Sequence, residues 1–461
     1  MNRIQMKSRL LLLAILCTLC GHASAAEKPE RPNVLLIVSD DQGWADIGYH
    51  ASDIRTPHLD RLAREGVELD WHYVQPQCTP TRTALMTGRY PSRFGPHCTQ
   101  ASADHAYPFE TLTMAKMLGS LGYDTALIGK WHMGSKPEWA PNHHGFAYSY
   151  GCFDGGVGAL DHHYRKGANT WHRNGEFVEE EGHVTDLITR EAVQWLKRER
   201  GGKPFFLYLP FTTVHVPLVE EQKWLDANAH IADPDRRLFA AAATHLDSAV
   251  GEVLAALDAT GQRENTLLIF TSDNGGIHVA YKGHQYPAPD VPLKAGFSRN
   301  TPLRGGKGEL FEGGIRVPAF VSWPAKLKPR KVTAPMHAVD WMPTVAAVVG
   351  FKPEGNPQWD GQNVWPLLSG DAAASEPREF YWVWGVGRFW EGLRRGDWKI
   401  IRDNRTAKDG ASAAWMLFNL AEDPLEKTDH ASTKPDIVAE LAARFAAHQT
   451  KDQLASEPKA P

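Results

Sequence analysis

Residues 77–95 read QCTPTRTALMTGRYPSRFG, with Cys78 four residues before Arg82. Thr79 is expected to cap a short helix, Pro80 suits its first turn and Gly88 its end. A thiol at a helix N-terminus beside a guanidinium is expected to have a depressed pKa. The same N-terminus attracts anions. Two chemistries are open, a thiolate nucleophile and an anion cradle. A thiolate hydrolase needs a histidine on Cys78 and a third residue to orient it. His132 in GKWHMG and His215 in PFTTVH are available for that role. A second group consists of oxygen donors, Asp40 and Asp41 in SDDQG, Asp273 and Asn274 in TSDNGG. Such a set suits a hard divalent cation, Ca²⁺ or Mg²⁺. Taken singly, each is equally a cap or a turn residue. Carboxylates around a thiolate are also a poor setting for thiolate hydrolysis. Lys130, and Lys307 in RGGKGELFEGG, complete a positive pocket for a small tetrahedral anion. His132 and His215 are then two acid/base groups expected to titrate near neutrality.

The elements that must carry these residues are legible as apolar runs. VLLIV (Val34–Val38), TALI (Thr125–Ile128), FFLYL (Phe205–Leu209) and LLIF (Leu267–Phe270) read as buried strands. Helical patterns lie between them at 57–65, 112–121, 183–200 and 238–257. Strands alternating with helices predict an α/β fold, a mostly parallel sheet sandwiched by helices. In such sheets the ligand site lies beyond the carboxyl ends of the strands. Each of the four strands runs into chemistry: Asp40 and Asp41; Lys130 and His132; His215; Asp273 and Asn274. From about Glu379 the chain alternates aromatic and polar residues, then reads WMLFNL. This predicts a small C-terminal α+β subdomain with an antiparallel sheet, closed by a helix at 436–447. The tail after Thr450 is expected to fray. The expected division is 1–25 signal peptide, 26–370 catalytic domain and 371–461 C-terminal subdomain.

The signal-peptide reading rests on Arg3, Lys7 and Arg9, the apolar run 10–19 and Ala23-Ser24-Ala25. That run is too short to span a bilayer, and no later stretch is apolar enough. These residues imply an exported protein, periplasmic or secreted if bacterial; a eukaryotic secretory route suits the same residues. Loss of the three leader cations takes the formal charge from −4 to −7, against bulk binding of nucleic acid. Cys78, Cys98 and Cys152 remain beyond the leader. One arrangement pairs Cys98 with Cys152 and leaves Cys78 for chemistry; the other keeps three buried thiols.

Cys78-Thr79-Pro80-Thr81-Arg82 resembles the Cys-x-Pro-x-Arg motif of type I sulfatases. The resemblance extends to NVLLIVSDDQGWADIGYHASDIRTPHLDRLAREG, GYDTALIGKWHMG, IFTSDNGG, TPLRGGKGELFEGGIRVP and GLRRGDWKII…LFNLAEDPLEKTD, in the family's order. It covers nearly all of the chain beyond the leader. It implies an alkaline-phosphatase-like fold and a Ca²⁺-dependent sulfuric ester hydrolase. In this family the motif cysteine becomes Cα-formylglycine, made by a formylglycine-generating enzyme, so the thiol is a precursor. One hydroxyl of the hydrated aldehyde attacks sulfur, and the second then expels sulfate. Carried over by position, Asp40, Asp41, Asp273, Asn274 and the modified Cys78 would hold Ca²⁺. Arg82 would hold the diol, Lys130 would bridge diol and sulfate, and Lys307 would bind sulfate. His132 would take the proton that triggers elimination, and His215 would protonate the leaving alcohol.

GYHASDIRTPHLDRLA with QPQCTPTRTALMTGRYPSRFG is most similar to the arylsulfatase B (N-acetylgalactosamine-4-sulfatase) type, which implies a sulfated carbohydrate or aryl sulfate substrate. Residues 137–175 and 284–300 match no one substrate. Their His, Trp and Tyr residues suit stacking on sugar rings, or simply pack long loops. The pairs His143-His144 and His162-His163 read as surface loop histidines rather than a transition-metal site. Two rival functions remain. One is a phosphodiester or phosphonate monoester hydrolase of the same superfamily. The other is a catalytically silent binder of sulfated glycans.

Overall fold

The computed structural model describes residues 31–101, 105, 107–287, 289–372, 377–407 and 412–453. The expected signal peptide lies outside the described residues. The described residues from Asn33 onward make one compact unit. Its centre is a sheet of ten strands. The four predicted strands are present as β1 (Asn33–Ser39), β2 (Asp124–Lys130), β3 (Phe205–Pro210) and β4 (Thr266–Ser272). They lie side by side in the order β4-β1-β3-β2, all parallel. Tyr148–Cys152 continues the parallel run, and Trp171–Arg173 and Glu176–Phe177 close that edge antiparallel. On the other side Ala319–Ser322 runs antiparallel to β4, followed by Val67–Leu69 and Arg330–Val332.

Burial on both faces explains the continuous apolar runs. In β1, Val34, Leu36 and Val38 join one core, and Leu35 and Ile37 join the other. The first core is covered by helices Cys78–Thr87, Met114–Ser120 and Trp341–Val348. The second is covered by Pro57–Glu65, Val184–Leu196 and Pro234–Ala259. The C-terminal antiparallel sheet has four strands, Glu379–Trp384, Trp390–Arg395, Trp398–Asp403 and Met416–Asn419. Helix Pro435–Gln449 packs Leu441 and Phe445 against it.

Two expectations are corrected here, and between the two cysteine arrangements the three buried thiols are the one found. Residues after Thr450 are tied down as far as Gln453: Asp452 accepts from Arg93, Tyr381 and Arg388, and Gln453 N donates to the Ser92 carbonyl. Cys98 and Cys152 are buried free thiols, as is Cys78, so the pairing does not form. His144 and His162 are buried rather than surface histidines. His144 stacks on Phe109, and His162 packs on Trp171. Ring burial among aromatics offsets the loss of water around the imidazoles.

Candidate active site

The carboxyl ends of β1 and β4 are level, because Ser39 pairs with Ser272. The residues just beyond them therefore emerge together. Asp273 N donates to the Ser39 carbonyl at 3.0 Å, and Asp41 N donates to Asp273 Oδ1 at 3.1 Å. Asp41 sits at φ 61° and His132 at φ 55°. Non-glycine residues held at left-handed φ cost roughly 1–3 kcal/mol each and concentrate at functional sites.

Helix α1 (Cys78–Thr87) is buried along its whole length, and its N-terminus faces these strand ends. Gly88 ends it at φ 70°, as predicted. The cap is different. Gln77 is the N-cap residue, and Thr79 lies inside the helix. The Thr79 hydroxyl instead donates to the His132 carbonyl at 3.0 Å. The threonine thus ties α1 to the segment after β2, a cross-element contact that local spacing does not reveal.

The predicted site residues converge. Cys78 Sγ lies 3.7 Å from Asp40 Oδ1. Ligand atoms of Asp40, Asp41, Cys78 and Asp273 all lie within 4.8 Å of one another. Arg82 donates to Asp273 Oδ2 at 2.7 Å and to the Lys130 carbonyl at 3.1 Å. Lys130 Nζ pairs with Asp40 Oδ2 at 2.5 Å, and Lys307 Nζ with Asp41 at 2.7 Å. His215 Nε2 faces Asp41 Oδ2 at 3.6 Å, while its Nδ1 donates to the Val216 carbonyl at 2.5 Å. Asn274 Nδ2 donates to Asp41 Oδ1 at 2.8 Å. The cluster is almost wholly buried. Lys307, at 16 % side-chain exposure, and His215, at 11 %, mark its open side.

Burial shifts these groups in directions the sequence did not suggest. The Cys78 thiol is pushed up, by burial first and then by the Asp273 carboxylate. The expected depressed thiol is therefore corrected: desolvation and the Asp273 and Asp40 carboxylates outweigh the nearby cations, Lys130 and Lys307 foremost. His132 and His215 are both driven well below neutrality, His215 to about 3, by burial and then by the Lys130 and Lys307 ammonium groups respectively. The expectation of two groups titrating near neutrality is corrected for the same reason. Burial resists ionisation of Asp41, but Lys307, His215 and Lys130 overcome it and hold the carboxyl below its usual range. Asp40 is pushed up to about 7, by burial and then by Asp273.

The donor set fits a hard divalent cation. Three carboxylates crowd one point, and Asn274 Oδ1 is buried with no hydrogen-bond partner among the described residues. Oxygen donors of this kind suit Ca²⁺ or Mg²⁺.

The family profile described as Sulfatase matches residues 32–351. The chain belongs to the sulfatase family. Mouse arylsulfatase J is 30% identical over 92% of this chain and 78% of its own length. Mouse steryl-sulfatase is 34% identical over 80% of this chain and 71% of its own. Among solved structures, Ps i-CgsB in complex with k-i-k-neocarrahexaose superposes with a TM-score of 0.80 at 31% identity, covering 93% of this chain and 95% of that one. As a sulfatase, the chain hydrolyses sulfate esters.

Two glycines that pack against the candidate histidines were not singled out from sequence. A Cβ on Gly155 would stand 2.4 Å from His132 Cε1 and Nε2, and one on Gly156 would stand 3.3 Å from His215 Cε1. The two glycines let the backbone pass against both histidines. The signal was present in DGGVG, but only the fold shows which rings approach it.

Proposed function

We propose that this sulfatase releases inorganic sulfate from a sulfated carbohydrate, with Cys78 converted to Cα-formylglycine. Ca²⁺ would be held by Asp40, Asp41, Asp273, Asn274 and the modified residue 78. The observation that carries the reading is the convergence of Cys78 with three carboxylates inside 4.8 Å, flanked by Lys130 and Lys307. When present, the hydrated formylglycine supplies the attacking oxygen and Ca²⁺ supplies positive charge beside it. The chain's own groups do the rest. Arg82, fixed on Asp273, offsets the carboxylate charge and orients residue 78. Lys130 and Lys307 bind the sulfate oxygens. His215 keeps Nε2 turned toward the site because Nδ1–H is committed to Val216; burial and Lys307 leave that Nε2 unprotonated, and the charge of a bound anionic substrate would raise its basicity so that it carries the proton to the leaving oxygen. His132, with Nδ1 buried and unpartnered among the described residues, accepts a proton from residue 78.

The carbohydrate reading is supported by the relative solved with k-i-k-neocarrahexaose. Export by residues 1–25, maturation by a formylglycine-generating enzyme and the division at 370/371 belong to the same proposal. No helix among the described residues is long and apolar enough to cross a membrane.

The test is the mass of the peptide containing residue 78, from protein made in a host with the maturation system, alongside sulfate release from sulfated sugars. Loss of sulfur and two hydrogens with gain of one oxygen, together with release, is the expected result. A plain thiol in protein that still releases sulfate would overturn the formylglycine mechanism. Turnover of phosphodiesters far above sulfate esters would favour the rival hydrolase.

A further inference from the structure

Two loops that match no single substrate pattern meet beside His215. A Cβ built on Gly156 would stand 2.2 Å from Tyr286 Oη and 3.3 Å from His215 Cε1, so phenol and imidazole flank the same glycine. Tyr286 is 7 % exposed, and its hydroxyl makes no hydrogen bond of good geometry among the described residues, only a loose approach from the Arg165 guanidinium. Buried hydroxyls are normally hydrogen-bonded, so one left open beside His215 is placed to receive a ligand atom. Its own loop holds the residue there. Asp290 Oδ2 accepts from Tyr286 N at 2.9 Å and from Gln285 N at 2.7 Å, and the Tyr281 hydroxyl donates to the same carboxylate at 2.9 Å. The other loop brings Tyr164, whose ring meets Tyr286 edge-on at 5.9 Å. The exposed Arg165 guanidinium lies 5.7 Å from the Tyr164 ring centre and 5.8 Å from that of Tyr286. It has no carboxylate partner among the described residues. Burial raises both phenols above their ordinary range, while the Arg165 guanidinium and then the Lys130 ammonium pull each down, which places both rings within the field of the site.

We propose that Tyr164, Arg165 and Tyr286 form a subsite that reads a second anionic group on the substrate, a sulfate or carboxylate near the scissile ester. The proposal rests on the sulfated-carbohydrate reading above and specifies its substrate class, an oligosaccharide carrying more than one anion. Tyr286 Oη, beside His215, bonds a hydroxyl of the sugar that leaves. Arg165, farther out and held against two rings, pairs with the second anion. Tyr164 offers an apolar face to the sugar ring.

The test uses matched oligosaccharides with one and with two sulfates per repeat, binding being measured by calorimetry on the wild type, Arg165→Ala, Arg165→Lys and Tyr286→Phe. The wild type is expected to prefer the doubly sulfated set by about tenfold or more, the scale of a charge-assisted pair. Arg165→Ala erases that preference, Arg165→Lys keeps part of it, and Tyr286→Phe weakens binding of both sets. A wild type without preference, or a preference that survives Arg165→Ala, overturns the subsite. Sulfate release from the same probes is read in parallel. Preference without release counts against the sulfated-carbohydrate reading and leaves the subsite standing. Release without preference does the reverse.

Discussion

Gly155 shows how a single hydrogen atom in place of a methyl group can set where a neighbouring imidazole lies. An added Cβ would overlap the His132 ring at 2.4 Å, and that ring is already fixed through its backbone by Phe153 and Thr79. Gly155→Ala must therefore turn or push the imidazole. Displacements of about 1 Å at a reacting group cost on the order of a hundredfold. We expect kcat/KM for 4-nitrophenyl sulfate to fall by about that factor, with a melting temperature close to wild type. A change under threefold would remove His132 from the reaction. The acids, lysines and histidines of the site were legible because most stand just past a strand, and parallel strands bring their carboxyl-end residues to one edge. Gly155 and Gly156 were not, and Tyr286 only as one aromatic of a substrate-facing loop, because their meaning is a distance to a residue far away in sequence. The thiol and imidazole shifts were misjudged for a related reason. Local neighbours suggested charge stabilisation, and the fold supplied burial, which dominates.

At the level of elements, the C-terminal sheet is bolted to the segment just beyond Lys307. Lys399, on strand Trp398–Asp403, reaches Glu312 Oε1 and Glu426 Oε1, each at 2.8 Å, and all three side chains are fully buried. The Tyr73 hydroxyl donates to Glu312 Oε2 at 2.8 Å, and Glu312 N donates to Glu426 Oε2 at 2.6 Å. Glu312 opens the short helix Glu312–Ile315, five residues beyond Lys307. Lys399→Met leaves two facing carboxylates without their shared ammonium, with only the Arg394 and Arg316 guanidinium groups still acting on Glu312. Breaking a buried ion pair in this way costs about 3–5 kcal/mol. The urea midpoint should fall accordingly, and adding Glu426→Gln should restore part of the loss. Equal midpoints for Lys399→Met and the wild type would show that the triad carries no such weight. The strands and the helices at 57–65 and 435–449 were readable from apolar pattern. The bolt was not, since GDWKII reads as an ordinary alternating strand in which Lys399 belongs on the solvent side. Only the packing of the second sheet turns that side inward.

For the molecule as a whole, the same burial sets the response to acid. His72, His144, His172 and His337 are fully buried, and each is held at about 3, by burial first. In the unfolded chain they titrate near 6.5. Between those values the unfolded chain binds four protons that the fold refuses, so stability is lost as pH falls below about 6.5 and is flat above it. Two buried carboxyls act the other way. Asp247 and Glu426 are pushed up to about 7 by burial, so the fold takes up their protons before the unfolded chain does. That contribution is present at low pH and is lost as pH rises through about 7. More rings than carboxyls are shifted by burial, His50 at about 4 among them, so unfolding takes up protons on balance and stability falls with pH across this window. The melting temperature should fall steadily from about pH 6.5 to about pH 5. His172→Phe should flatten the slope by about one proton, because a benzene ring can keep the stacking on Phe153 at 3.8 Å without a site to protonate. A melting temperature that holds constant to about pH 5, or an unchanged slope in His172→Phe, would show that these rings do not govern acid stability.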